Sequence, residues 1–93
     1  MKISPVPGML AYVRAGRDEG RAVIIKEIID SDFVMIVDGE MRKLDSAKKK
    51  KIKHLKLSPK QDFALQKAFQ EGIIINDADV RKAIAKLTGT SEF

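Results

Sequence analysis

Apolar residues in the first two thirds of the chain come in short runs separated by turn residues, a pattern typical of a small β domain. This pattern predicts five strands, over residues 9–14, 21–29, 33–37, 41–44 and 52–57. The second strand contains the run Ala22 to Ile25, which indicates burial on both faces of the sheet. Asp38-Gly39 predicts a type I′ hairpin turn between the third and fourth strands. Because five short strands would leave two bare edges, we expect the sheet to close into a small barrel.

The last third of the chain has a helical period and predicts two helices, over residues 58–71 and 77–87. Ser58 is the predicted N-cap of the first helix, followed by proline, and Gly72 is its predicted end. The second helix is capped at residue 76 or 77 and ends before Gly89. The two apolar stripes consist of Leu65, Ala68 and Phe69, and of Val80, Ala83, Ile84 and Leu87. These stripes must pack on each other, on the barrel, on another copy of the chain or on a partner.

The change of period divides the chain into a predicted barrel, residues 1–57, and a helical hairpin appendage, residues 58–93. An αα-hairpin also allows a helix-turn-helix interpretation, and with it a DNA-binding regulator. Its connector, residues 72–76, is long and apolar for that motif, and residues 61–93 have a net charge of −1. Since a DNA-reading helix is normally basic, the helix-turn-helix interpretation ranks last.

Charge is distributed very unevenly along the chain. The net charge is +5, yet residues 1–41 have −2, residues 42–60 have +8 and residues 61–93 have −1. The excess positive charge therefore lies in one window, which is typical of a surface that binds nucleic acid or an anionic membrane. The N-terminal residues lack the apolar core of a signal peptide, and the longest apolar run, Phe33 to Val37, is far too short to span a membrane. We expect a soluble, cytoplasmic protein without a membrane partner.

The basic window contains the candidate phosphate-binding residues. Four adjacent lysines repel one another, so residues 45–51 are predicted to form a mobile polar loop between two strands. Such a loop either only solubilises the protein or holds lysines on one side of the barrel, where they bind phosphates without reading sequence. The candidate RNA-binding residues of the chain are Arg17, Arg21, Arg42, Lys43, Lys48, Lys49, Lys50, Lys51 and Lys53.

A second candidate element is the loop between the first two predicted strands. Gly16 and Gly20 bracket it and are predicted to shape it by adopting positive φ. Asp18 is predicted to cap its own turn by accepting from the amide two residues on. The loop is either an ordinary β-turn with solvated charges or an element that positions Arg17 and Arg21 on phosphate.

Catalytic and metal chemistry have little support in the sequence. The chain has no cysteine and one histidine, His54, so we expect neither a metal site nor a cofactor. It contains no glycine-rich phosphate loop and no Ser/His/Asp order, so we expect it not to be an enzyme. Tyr12 and four scattered phenylalanines do not form a base-stacking platform, which favours contact with structured RNA or its backbone.

Residues 8–57 resemble the KOW-motif RNA-binding proteins, in particular the ribosomal large-subunit proteins fourteen-e, six-e and twenty-seven-e. Gly20 is the most diagnostic single residue of this resemblance, although the ordered set is more specific than any one glycine. The resemblance depends on Gly8, the segment Ala15-Gly16-Arg17-Asp18-Glu19-Gly20, the run Val23 to Ile25, Val37-Asp38-Gly39 followed by Arg42-Lys43, and the lysine-rich segment that ends in Ile52-Lys53-His54-Leu55.

The resemblance implies an SH3-like barrel that binds ribosomal RNA or sits on the ribosome, with the loop between the first two strands contacting RNA or protein. The helical hairpin departs from the family pattern and could recruit another protein or a second copy of the chain. We therefore expect a ribosome-associated RNA-binding protein. The alternatives are a protein-interaction module that docks a transcription or translation factor and, below it, a DNA-binding regulator.

Overall fold

A five-stranded antiparallel sheet and two C-terminal helices make up the structure, a computed structural model that describes residues 3–89. Two short 3-10 turns, Leu44–Ser46 and Ile52–His54, flank the fourth strand. The strands are β1 (Met9–Val13), β2 (Ala22–Ile28), β3 (Phe33–Val37), β4 (Lys48–Lys51) and β5 (Leu55–Gln61), and the helices are α1 (Phe63–Glu71) and α2 (Asp77–Thr88).

The sheet has the strand order β4-β3-β2-β1-β5 and is not a closed barrel, so this part of the prediction is wrong. Each neighbouring pair is antiparallel, which makes the two edge strands β4 and β5 run in the same direction. Only the turn Ile52–His54 joins them. Parallel neighbours need a crossover of a dozen or more residues, so this short link cannot bring β4 and β5 side by side.

Both faces of the sheet are apolar at its centre. One set of buried side chains forms an inner core without any helical residue: Met9, Ala11, Val13, Val23, Ile25, Val34, Ile36 and Leu55. The alternate residues Leu10, Ile24 and Val37 point to the other face, where the helices cover them. Val23, Ile24 and Ile25 are all fully buried, which confirms the predicted burial of β2 on both faces.

The two helices pack on the sheet, with which they share a second core. Val80 and Ala83 of α2 and Leu65 of α1 lie in one cluster with Leu10, Ile24 and Val37. Ala68 is buried as well, and the remaining stripe residues, Phe69, Ile84 and Leu87, are partly buried against this cluster. The predicted stripes are confirmed, and among the partners left open by the sequence it is the sheet that covers them.

The prediction for residues 38–51 is wrong in three respects. Asp38 does not have positive φ, so the Asp38-Gly39 turn is not type I′, and residues 41–44 are not a strand. The buried Asp38 carboxylate accepts from the amides of Glu40 and Arg42, each at 2.8 Å, and this closes a loop instead of a hairpin. The strand that pairs with β3 is the lysine run, which the sequence predicted to be a mobile loop.

The predicted start of the first helix is also wrong, because Ser58 and Pro59 belong to β5. The pairing of β5 with β1 has an irregularity here, opposite the interval between Met9 and Ala11. Proline is tolerated at this position because β5 is an edge strand and does not need every amide. The N-cap of α1 is Asp62, whose carboxylate accepts from the Leu65 amide at 2.9 Å.

The other predicted helix boundaries are confirmed to within one residue, since α2 ends at Thr88 and not at residue 87. Helix α1 ends at Glu71, before Gly72, and α2 begins after Asn76, whose side chain forms a capping box with Asp79. Gly89 follows the end of α2. Within residues 3–89, neither helix has the length and apolar character needed to cross a membrane.

Candidate nucleic-acid interface

The lysine run is an edge strand whose side chains alternate between the two faces of the sheet. Lys48 and Lys50 lie on the inner face, because the register pairs Lys50 with Val34, while Lys49 and Lys51 lie on the opposite face. Lys50 is half-buried and the other three are exposed. The strand therefore presents cations on both sides of one edge of the sheet.

The loop between β1 and β2 lies beside this edge. A methyl group at Gly16 would be 3.7 Å from Lys50 Nζ, so the lysine ammonium reaches the loop. Gly16 and Gly20 have φ of +95° and +89°, which confirms that the loop requires glycine at both bracketing positions. Arg17 is exposed between them. The structure thus brings the glycine-bounded loop and the lysine strand together.

Arg21 and Arg42, two of the predicted phosphate contacts, form ion pairs within the protein. Arg42 Nη2 donates to Asp18 Oδ2 at 3.0 Å, and Arg21 Nη1 donates to Asp38 Oδ2 at 3.0 Å. Asp18 therefore bonds the arginine of a distant loop rather than capping its own turn, since the Gly20 amide donates to the Val13 carbonyl. The two pairs fasten the β1–β2 loop to the segment after β3. The exposed candidates are Arg17, Lys43, Lys48, Lys49, Lys51 and Lys53.

The Asp18 carboxylate has a pKa below its ordinary value of 3.8. The hydrogen bond from Arg42 is the main cause. Burial opposes it, while the charges of Arg42, Arg21 and Lys50 lower the pKa further. A carboxylate with a lower pKa in the folded than in the unfolded state stabilises the fold above the unfolded pKa. That contribution is lost as the pH falls through the folded pKa.

Asp18→Asn is expected to lower the free energy of unfolding at neutral pH by about 1 kcal/mol, since the Arg42 guanidinium loses a partly shielded partner. The difference from the wild type should shrink as the pH is lowered below 3.8. Urea unfolding across this pH range measures both effects. Glu19→Gln, at the exposed neighbouring carboxylate, is the matched control and should change little. A difference that does not vary with pH would contradict this role of the Asp18–Arg42 pair.

The aromatic side chain beside the lysines is Phe33, which the sequence did not single out. Lys49 Nζ lies 4.5 Å from the centroid of its ring, and Lys51 Nζ lies 6.0 Å from it. Tyr12 instead packs half-buried on the helix side of the sheet. The contact between Lys49 and Phe33 follows from the pairing of β3 with β4. The sequence predicted a loop for the lysines and so did not predict this pairing.

His54 lies at the end of the 3-10 turn Ile52–His54, where its half-buried side chain fits the predicted packing role. Its carbonyl accepts from the Arg14 amide at 2.8 Å and so connects this turn to the end of β1. Lys53, in the same turn, is exposed. The turn therefore continues the basic edge beyond β4.

No protein-family model matches the chain.

Proposed function

We propose that the protein is a cytoplasmic RNA-binding module of the SH3-like KOW type that associates with the ribosome and has no enzymatic activity. The observation that supports this proposal most directly is a strand of four lysines at an open sheet edge, next to a glycine-bounded loop that exposes Arg17. Such an edge holds several cations where they can contact the phosphates of a nucleic-acid backbone.

The lysines and arginines of the basic edge outnumber the nearby carboxylates, of which Asp32 lies beside Lys51 and Lys53. Asp45 is the only acidic residue among residues 42–60, against nine lysines and arginines. Asp18 and Asp38, on the adjoining loops, are bonded to Arg42 and Arg21. The exposed lysines can therefore exchange their counterions for phosphates. The free energy of binding that results from this exchange depends strongly on the salt concentration.

The geometry of β4 favours recognition of the backbone over recognition of sequence. Lysines on one face of a strand are about 7 Å apart, a spacing comparable to that of successive phosphates along a nucleic-acid strand. A lysine ammonium is a point charge without the fork of donors that reads a base edge. We therefore expect affinity for structured RNA, such as ribosomal RNA, with selection by shape.

A salt series tests this proposal. If about six cations contact phosphates, log K should fall against log salt with a slope of roughly −4 to −5. Changing Lys48, Lys49 and Lys51 together to Gln should flatten this slope by roughly two to three units. The matched control changes Lys67, Lys82 and Lys86, three exposed lysines of the helices, to Gln and should retain the wild-type slope. The half-buried Lys50 is kept in both variants.

Equal slopes for the two triple variants would contradict the proposal. The lysines of β4 would then act only as a charged edge that prevents two sheets from pairing. A profile of the tagged protein on a ribosome gradient tests the second half of the proposal, because an RNA-binding protein without ribosome association would remain in the light fractions.

The second candidate function is a protein-interaction module, and the connector between the helices favours it. Ile74 is 95% exposed and the adjacent Ile73 is 49% exposed. Such side chains are suited to docking a protein, for example a translation or transcription factor. Loss of a co-purifying protein in Ile74→Ser, with RNA binding unchanged, would support this candidate.

A further inference from the structure

A surface pocket of about 540 Å³ lies beside the basic edge, between the turn that precedes β3 and the turn that follows β4. Its size is within the range of small-molecule sites in proteins. Phe33 and Ile52 supply apolar surface, and two lysines belong to its wall. The lining residues are Ser31, Asp32, Phe33, Lys51, Ile52 and Lys53.

The walls of this pocket are fixed by hydrogen bonds before any ligand arrives. The Asp30 carboxylate accepts from the amides of Asp32 and Phe33, at 2.8 and 2.9 Å. The Ile52 amide donates to the Asp32 carbonyl at 2.8 Å and joins the two turns. A preformed pocket costs little ordering when it is filled.

We propose that this pocket holds one unpaired nucleotide of the bound RNA. The base lies against the Phe33 ring, and the flanking phosphates lie on Lys49, Lys51 and Lys53. This inference rests on the proposed function and adds a feature to it. Bases inside a duplex are stacked and cannot reach an aromatic ring, so the preferred RNA contains a bulge or a loop.

Lys49 covers the Phe33 ring in the free protein, with its ammonium 4.5 Å from the ring centroid. An exposed contact between a lysine and an aromatic ring is weaker than the stacking of a base on the ring. A base can therefore displace the ammonium, which moves to the adjacent phosphate because the lysine stem is flexible.

The first test compares a short RNA duplex with the same duplex carrying a single unpaired adenosine, both titrated against the full chain. We expect the bulged RNA to bind about tenfold more tightly. Phe33→Leu should bring the two affinities close together without weakening duplex binding, since the apolar strand residue is kept and the ring is lost. An abasic nucleotide in the bulge should have the same effect on the wild type.

A second test uses fluorescence, because the chain contains no tryptophan. The emission of Phe33→Trp should be quenched by the bulged RNA and not by the duplex. Phe63→Trp, at a 71% exposed aromatic position on α1, is the matched control and should respond to neither.

Equal wild-type affinities for bulged and unbulged RNA, with a steep salt dependence for both, would overturn the nucleotide site and leave the proposed function intact. Absence of binding to both RNAs would overturn the proposed function, and the inference with it. Quenching of both tryptophan variants to the same extent would likewise contradict a base located at Phe33.

Discussion

Gly39→Ala is expected to lower the free energy of unfolding by about 3 kcal/mol. A Cβ atom at this position would lie 2.6 Å from the Asp77 carbonyl oxygen and 2.8 Å from Arg81 Cγ. The first of these atoms belongs to the backbone of α2 and cannot move aside alone. The φ of +81° adds strain for any side chain. The substitution should therefore push the start of α2 away from the loop after β3. Urea unfolding monitored by circular dichroism measures the resulting decrease in the free energy of unfolding.

Gly20→Ala separates the cost of backbone strain at positive φ from the cost of steric overlap with α2. Gly20 has φ of +89°, but no atom lies within 4 Å of the position that an alanine methyl group would occupy, so only the backbone strain remains. We expect Gly20→Ala to lower the free energy of unfolding by roughly 1–2 kcal/mol. Equal losses for the two variants would mean that the close approach of α2 does not require glycine at position 39.

Hydrogen bonds around Gly39 hold the start of α2 close to the loop after β3. Arg81 Nη1 donates to the Gly39 carbonyl at 2.6 Å, and the Leu44 amide donates to Asp77 Oδ1 at 2.8 Å. Gly8 has the equivalent place under α1, because a Cβ there would be 2.7 Å from the Asp62 carbonyl oxygen. Each helix therefore begins against a glycine of the sheet domain, and the two glycines set the positions of both helices.

The sequence predicted correctly those elements that depend on residues close together in the chain. The bounds of β3 and the double burial of β2 follow from continuous apolar runs, and the start of α2 at residue 76 or 77 follows from cap chemistry. Gly39 was predicted only as a turn residue. It lies against Asp77 of α2, which is 38 residues further along the chain, so the residues next to Gly39 do not indicate this contact. Ser58 was predicted as the N-cap of α1, and only the pairing of β5 with β1 shows that Ser58 belongs to a strand and that Asp62 is the cap.

The candidate site was predicted in composition but not in geometry. Repulsion among four lysines predicted a loop, whereas pairing with β3 makes them a strand at a sheet edge, where three of the four side chains stay exposed. The alternation of their side chains and the ring of Phe33 beside Lys49 follow from that pairing. The ion pairs of Arg21 and Arg42 could not be predicted either, since each joins segments brought together only by the fold.

Val80→Asp is expected to destabilise the protein by about 4 kcal/mol or more. Val80 is fully buried in the cluster shared by both helices and the sheet, next to Leu10, Ile24 and Val37. A carboxyl group there must be either buried without a charged partner or exposed by detachment of α2, and both outcomes cost free energy. Because a domain of this size has a total stability of only about 5–14 kcal/mol, much of the cooperative unfolding transition should be lost.

Ile74→Asp is the matched control, since it makes the same kind of change at a side chain that is 95% exposed. We expect its melting temperature to stay close to that of the wild type. A chain that keeps its β-sheet circular dichroism and its RNA affinity in Val80→Asp would contradict the shared core, because the sheet would then fold without α2 on its outer face. Loss of both signals in this variant alone would show that Leu10, Ile24 and Val37 need the helices to be kept from water, and that the helices are part of the domain that carries the basic edge.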